Sequence, residues 1–372
     1  MRSERLIKRI AVTLAVLVFA CAARAAGAAQ TLAGFTYISV AGNTASRGDA
    51  SGRLSVVLWY PADPRTSVQP IVVGPPQAPY FVEGDGAKDA PLASGPGRLP
   101  LIVVSHGTGG TAMDLEWLCA GLAARGYVVA AVNHPGNNAL QAPTVAGNTV
   151  WWMRADDLSR VIDGVLATKR FGSRIDPARI GAAGVSLGGY TVLVVAGARA
   201  DSRLLDPYCA REPKTPVCSG EATPQVPDLR TKARALAAAD AGYRAAVAAN
   251  LDLHADPRVR AVFSIEPAMG PAIVPESLAA IRIPIAFVAG FGDRILPLAD
   301  NVVADALAVP DAQLTLLPKP AGHYTFLMDC APAGRQAYPA LCADAGTERV
   351  AVHQETLDLA AAFFARSIGA SP

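Results

Sequence analysis

The sequence predicts an α/β fold built on a mostly parallel central sheet, and three observations carry that expectation. Apolar runs of strand length alternate with segments of helical periodicity between residues 101 and 196, and again from 261 onward; this is the pattern of strands covered on both faces by crossover helices. A 51% hydrophobic content over 372 residues provides for a large core and excludes intrinsic disorder. Finally, the run Gly184-Val185-Ser186-Leu187-Gly188 stands where one of these strands gives way to a helix, a junction that forces a sharp turn.

Taken in chain order, residues 35–41 and 53–61 read as the two strands of an opening hairpin, followed by a Pro/Gly-rich connection over 62–99. Leu101–Ser105 reads as a buried strand. Asp114–Arg125 reads as an amphipathic helix, opened by Thr111-x-x-Asp114 and closed by Gly126. Tyr127–Val132 is the next strand, and Asp156–Arg170 a helix whose Leu158, Val161, Ile162, Val165 and Leu166 recur at helical spacing. Ile180–Val185 then leads into an apolar helix, Tyr190–Ala196. Residues 200–256 break the rhythm with five prolines, a cysteine pair and the Ala-rich stretch Thr231–Asn250, and read as a lid-like insertion over one edge of the sheet. Alternation resumes with strands Ala261–Ile265, Ile283–Ala289 and Gln313–Leu317 and a last helix near 348–367. Residues 30–372 therefore form one domain with an insertion and no internal repeat.

Residues 1–29 read as a secretory signal peptide: four basic groups in the first nine residues, the apolar stretch 10–23, then small residues ending Ala26-Gly27-Ala28-Ala29. The apolar stretch is shorter than the ~20 residues a bilayer requires, and Phe19 disfavours Cys21 as a lipid acceptor. An exported, soluble mature chain without stable membrane insertion is expected. The whole chain carries a net charge of +2 and only 17% charged residues, and removal of the leader leaves 28 basic against 30 acidic residues. That balance excludes a nucleic-acid partner, which needs a basic patch. Export also makes Cys209–Cys218 and Cys330–Cys342 expected local disulfides, each contributing at most ~3 kcal/mol on the chain-entropy argument. With no CxxC and no histidine at ligand spacing, no metal site is expected. Cys119 shares a helical face with Leu115, Leu118, Leu122 and Ala123 and should be buried.

The chemistry concentrates around Ser186. A serine becomes a nucleophile only when a base takes its proton, and the base must itself be oriented by a third group. His323, in a loop after the last strand, is the expected base; His353 falls within the terminal helix, and His134 and His254 read as structural or pocket-lining. Asp293, in Gly290-Phe291-Gly292-Asp293 at the carboxyl end of a strand, is the preferred acid, and Glu266 after the preceding strand stays in competition. The run Ser105-His106-Gly107-Thr108-Gly109-Gly110 follows the first central strand. Its Thr108 N–H and that of Leu187 are the expected donors to a developing oxyanion. The run lacks the Lys-Ser/Thr and the glycine spacing of a phosphate loop, so no nucleotide cofactor is expected. His106, Glu266, Trp151 and Trp152 are candidates to wall a substrate pocket.

The motifs HGTGG, GVSLGG, GFGD and AGHYTFL, with VVLWYPA and NHPG before them, resemble the α/β-hydrolase fold. More narrowly they resemble the bacterial serine hydrolases called predicted dienelactone hydrolases, relatives of platelet-activating-factor acetylhydrolase. The resemblance runs from about residue 33 to 365. It implies hydrolysis of a small-molecule or polymeric carboxylic ester by Ser186, His323 and an acid, without cofactor or metal. Lipases, polyesterases and lactonases share such a triad, whereas a non-catalytic binding relative would be expected to lose one of its members. Two departures matter. Dienelactone hydrolases proper use a cysteine nucleophile where this chain has Ser186. In the platelet-activating-factor enzymes the acid follows the earlier strand, the position of Glu266. Nothing in the sequence bears on oligomeric state.

Overall fold

The computed structural model describes residues 31–369, apart from 96, 222, 224, 319 and 344–348. The expected signal peptide and Cys21 lie outside the described residues. Among the described residues ten strands form the sheet: β1 (Leu32–Ala41), β2 (Arg53–Ala62), β3 (Gln69–Val73), β4 (Phe81–Lys88), β5 (Leu99–Ser105), β6 (Val128–Asn133), β7 (Ile175–Val185), β8 (Val259–Ile265), β9 (Ile285–Gly290) and β10 (Gln313–Leu317). Their spatial order is β10-β9-β8-β7-β5-β6-β2-β1-β4-β3. From β10 to β6 every pairing is parallel, whereas β1 and β2 pair antiparallel from Leu32↔Ala62 to Ala41↔Arg53 as the hairpin requires. This is the α/β-hydrolase fold.

Alternation along the buried strands builds two cores. Leu101 and Val103 of β5 face one cluster, together with residues of α2 (Met153–Leu166) and α3 (Leu187–Val195). Ile102 and Val104 face the other, with α1 (Glu116–Ala123) and a long carboxyl-terminal helix, Arg349–Phe364. Side chains that alternate between two apolar layers are what a strand covered on both faces demands.

Several expectations are corrected. The 62–99 connection is not loop alone, for it holds β3 and β4. Pro70, Gly84 and Gly86 interrupt any apolar run there, and an edge of the sheet can tolerate them because one rim needs no ladder partner. The first helix is shorter than Asp114–Arg125, since Asp114 stays in the preceding turn and accepts from the Thr111 N–H at 3.0 Å. The second begins at Met153 rather than Asp156, which brings Arg154 inside it. The Ala-rich stretch is two helices, Leu229–Ala239 and Ala241–Ala248, divided at Asp240, whose side chain accepts from the Tyr243 N–H at 2.8 Å.

The insertion packs on connections between the strands. The Trp152 indole N–H donates to Ala246 O at 3.0 Å, Tyr243 meets Thr149 at 2.7 Å, and Tyr208 meets Asp300 at 3.0 Å. These contacts reach from the β6–β7 connection to the β9–β10 connection. Both expected disulfides are present, with Cα–Cα separations of 5.3 Å for Cys209–Cys218 and 6.0 Å for Cys330–Cys342. Cys119 is a buried free thiol. Among the described residues no helix is long and apolar enough to cross a membrane.

The chain visits β6 between β5 and β7, yet β5 and β7 are neighbours. Their outgoing connections depart to opposite sides at the carboxyl ends of the two strands, the kind of switch point at whose crevice open α/β sheets bind ligands.

Candidate active site

Ser186 follows β7 at this switch point. Its backbone has φ +57° and ψ −121°, a conformation that costs a non-glycine residue free energy and is held only by its surroundings. Those surroundings are close. A Cβ on Gly184 would stand 2.3 Å from Gly188 O, and one on Gly188 would stand 1.9 Å from Ser105 O. Only glycine fits at either position, so the two small residues flanking Ser186 are a packing requirement. The Ser186 N–H is tied to Ile265 O at 2.9 Å, which fixes the turn to the next strand.

On one side, the loops after β9 and β10 bring in the other two residues. His323 Nε2 lies 3.0 Å from Ser186 Oγ across 137 positions of sequence, and His323 Nδ1 lies 2.9 Å from Asp293 Oδ2. The second oxygen of Asp293 accepts from the N–H groups of Ile295 at 2.6 Å and Leu296 at 2.9 Å. Burial by itself would raise the Asp293 pKa. The hydrogen bond and charge of His323, with these amides, outweigh it and hold the carboxyl below its usual range.

Glu266, after β8, takes a different part. Its backbone also has a positive φ of +44°, and its Oε1 accepts from the Gly290 N–H at 2.7 Å. Burial, then the charge of Asp293 and a hydrogen bond to it, push its pKa well above the ordinary value. Glu266 therefore keeps its proton and donates it to Asp293, and His323 faces Asp293. Glu266, Asp293 and His323 bring one donor atom each within 4.8 Å of one another. Those atoms are committed to a chain of hydrogen bonds ending at Ser186, a donor set unlike an open coordination sphere.

On the other side of Ser186 lies the loop after β5. A Cβ on Gly107 would stand 3.2 Å from Ser186 Cβ, so this backbone borders the serine directly. His106 is buried with both ring nitrogens engaged: Nε2 accepts from the His134 N–H at 3.2 Å, which leaves Nδ1 to donate to Gly107 O at 2.6 Å. In a trans peptide the N–H points opposite the carbonyl. The Gly107–Thr108 peptide is thus pinned with its oxygen toward His106 and the Thr108 N–H turned away. Among the described residues neither the Thr108 N–H nor the Leu187 N–H, at the start of α3, meets a protein acceptor.

The remaining candidates are each held by contacts of their own. Trp152 is buried against the insertion, and Trp151 is half-buried with its indole N–H donating to Asn148 O at 2.7 Å. His353 stacks on Trp117 at 4.4 Å and bonds Glu83 at 2.6 Å, and His254 pairs with Asp156 at 2.9 Å. Sequence reasoning missed Arg47, Asn137, Arg154 and Asp157, which are buried behind the His106–Gly110 loop. Charged residues on the apolar face of a helix were the available signal; Arg154 and Asp157 stand one turn apart in α2.

Comparisons with known proteins agree with this architecture. The model of the family described as platelet-activating factor acetylhydrolase, isoform II, matches residues 82–149. Lipase 1 of Moraxella sp. (strain TA144) is 32% identical over 123 residues, which span 33% of this chain and 35% of that protein, so the match covers about a third of the relative's length. A ferulic acid esterase from Streptomyces cinnamoneus superposes with a TM-score of 0.56 at 22% identity, over 94% of each chain. The chain thus resembles esterase- and lipase-type hydrolases, and the last of these likenesses is one of fold.

Proposed function

We propose that the protein is an exported serine hydrolase that cleaves carboxylic esters through Ser186, His323 and Asp293. One observation carries the reading: a single imidazole lies within hydrogen-bond reach of both a strained, half-buried serine and a buried carboxylate. The esterase and lipase resemblances agree with it, and two disulfides fit the oxidising compartment to which the leader-like segment would direct the chain.

The ester carbonyl docks over Gly107 with its oxygen toward the Thr108 and Leu187 N–H groups. His323 Nε2 takes the proton of Ser186 Oγ as that oxygen bonds the carbonyl carbon, and negative charge gathers on the carbonyl oxygen between the two amides. His323 then passes the proton to the departing alcohol oxygen, which leaves an acyl group on Ser186. Water enters along the same path and loses a proton to His323 as its oxygen bonds the acyl carbon; the bond to Ser186 Oγ then breaks, His323 returns the proton to that oxygen, and the acid departs. Asp293 keeps the proton of the neutral imidazole on Nδ1 and stabilises the cation formed in each half-reaction. Glu266, uncharged, supports Asp293 without competing for His323.

Nitrophenyl esters from acetate to palmitate test this directly. The wild-type protein should turn over at least one of them, be labelled at Ser186 by an organophosphonate, and lose about 10⁶-fold in kcat in Ser186→Ala with folding intact. A Ser186→Ala variant with wild-type turnover would end the reading. A preference for the longest chains would move the assignment toward a lipase with the same triad.

A further inference from the structure

Three charged residues are buried together behind the loop that borders Ser186: Arg47 in the turn after β1, and Arg154 and Asp157 near the start of α2, each no more than 2% exposed. Burying charge is costly unless it is paired, so the pairing is informative. Asp157 is fully used. Its two oxygens accept from Arg47 Nη1 and Nη2 at 2.6 Å each, and Oδ2 also accepts from His134 Nδ1 at 2.8 Å. The hydrogen bonds of Arg154 go instead to neutral oxygens, and the charge of Asp157 reaches it only through space. Its Nη2 donates to the His106 carbonyl and, at 3.4 Å, to Ser105 Oγ, and its Nη1 donates to Asn137 Oδ1 at 3.4 Å.

The two histidines add no compensating charge. His134 donates from Nδ1 to Asp157 and accepts the Ser105 hydroxyl on Nε2 at 2.9 Å, the pattern of a neutral ring. Burial, helped by the charge of Arg154, brings its pKa down to about 3, and His106 is likewise pushed well down by burial. Burial, opposed by the charge of Asp157, lowers Arg154 to about 9, so it stays charged at neutral pH, and Asp157 stays ionised near 2 despite burial because of Arg47. The cluster therefore holds two cations and one anion in a region closed to water.

The surplus cation is aimed. Arg154 grips the carbonyl of His106, whose ring pins the peptide carrying the Thr108 N–H. Through Asn137 Oδ1, which accepts from the Gly109 N–H at 2.9 Å, it also holds the far end of the same loop. We propose that Arg154 is a positioning residue for ester hydrolysis, its unpaired buried guanidinium locking the 106–109 loop and placing positive charge behind the amides that receive the oxyanion. The proposal rests on the serine-hydrolase reading above and assigns a rate role to a residue that touches no substrate. Because charge in a water-poor site is weakly screened, the effect belongs to the transition state, where the negative charge forms, more than to the neutral ester.

The test is Arg154→Met, which keeps the length and removes the charge. Asp157 retains Arg47, so the variant leaves a neutral pair rather than an orphaned ion, and stability in urea should hold or rise. In contrast kcat for the best nitrophenyl ester should fall about 10- to 100-fold with KM within twofold, less than the ~10²–10³-fold of losing an oxyanion donor itself. The inhibition constant of a trifluoromethyl ketone, which forms a charged tetrahedral adduct on Ser186, should weaken by the same factor, while a neutral ketone analogue binds as before. Arg154→Lys should recover part of the loss. An unchanged kcat, a loss confined to KM, or equal weakening of both ketones would overturn the proposal. If Arg154→Met does not fold, Arg154→Gln carries the same measurements, and failure of both to fold would assign Arg154 to structure alone. If the wild-type protein hydrolyses none of the esters, it is the serine-hydrolase reading that fails.

Discussion

The two sides of Ser186 handle charge by opposite means. On the His323 side the anion lies in the loop after β9, satisfied by two backbone amides and the imidazole from the loop after β10, with a protonated Glu266 behind it. On the loop side the charges are carried by side chains from the β1–β2 turn and α2, fully buried, and they leave a cation in surplus. Backbone amides come with the fold and need no sequence signature beyond a strand end. Buried side-chain charges require partners supplied by distant segments, such as Arg47 and Asp157, 110 positions apart. The first kind of support is local and the second is global.

Beyond loss of Ser186 itself, the largest expected effect breaks the first side. Asp293→Asn should lower kcat by ~10⁴-fold, because an amide can hold the imidazole in the wrong tautomer. Glu266→Gln should stay within about threefold of wild type. The amide oxygen still accepts from Gly290 N and its NH₂ still donates to Asp293, as the protonated acid does. Steady-state kinetics on the pair decides the roles, and inactivation by Glu266→Gln alone would exchange them.

This asymmetry explains what was legible in the sequence. Ser186, Asp293 and His323 each stand in a short motif at the end of a strand that its apolar run identifies, so the strand pattern and the site were read together. The β5–β10 alternation was legible for the same reason: strands apolar on both faces stand out. β3 and β4 were not, since β3 at the rim can carry Pro70, and β4, paired with β1 only at Ala87 and Lys88, can carry Gly84 and Gly86. Arg154 was lost because the helix was expected to begin at Asp156, and no local pattern shows that Arg47 will fold back onto Asp157.

The second effect breaks the loop side through its anion instead of its cation. Asp157→Asn removes the only carboxylate paired with Arg47 among the described residues and leaves two buried guanidinium groups facing each other's charge. Breaking a buried pair in this way costs about 3–5 kcal/mol, to be read as a lower urea midpoint at unchanged slope. Arg154→Met removes charge from the same cluster with no such loss. If both variants were equally destabilised, the cluster would be ordinary buried packing and the claim of a surplus cation would fall.

A third buried group sharpens the rule that the partner, and not burial, decides the charge state. Glu116 opens α1 beneath β4, where its Oε1 approaches Gly84, and its Oε2 has no partner among the described residues. Among the described residues no cation acts on it; burial, then Glu83 and Asp85, raise its pKa to about 9. Asp157, equally buried but paired with Arg47, goes the other way. A folded-state pKa raised above the unfolded value of 4.5 means that the native state binds the extra proton between those limits, so this contribution is complete below pH 4.5 and is lost as the pH rises toward 9. Glu116→Gln mimics the protonated form at every pH. It should leave Tm unchanged at pH 4.5 and raise it by a few degrees, about 1 kcal/mol or more, at pH 8.5. Calorimetry at the two pH values checks the sign: a gain at pH 4.5 equal to that at pH 8.5 would show that Glu116 is not held as the acid and that burial without a partner does not govern charge in this core.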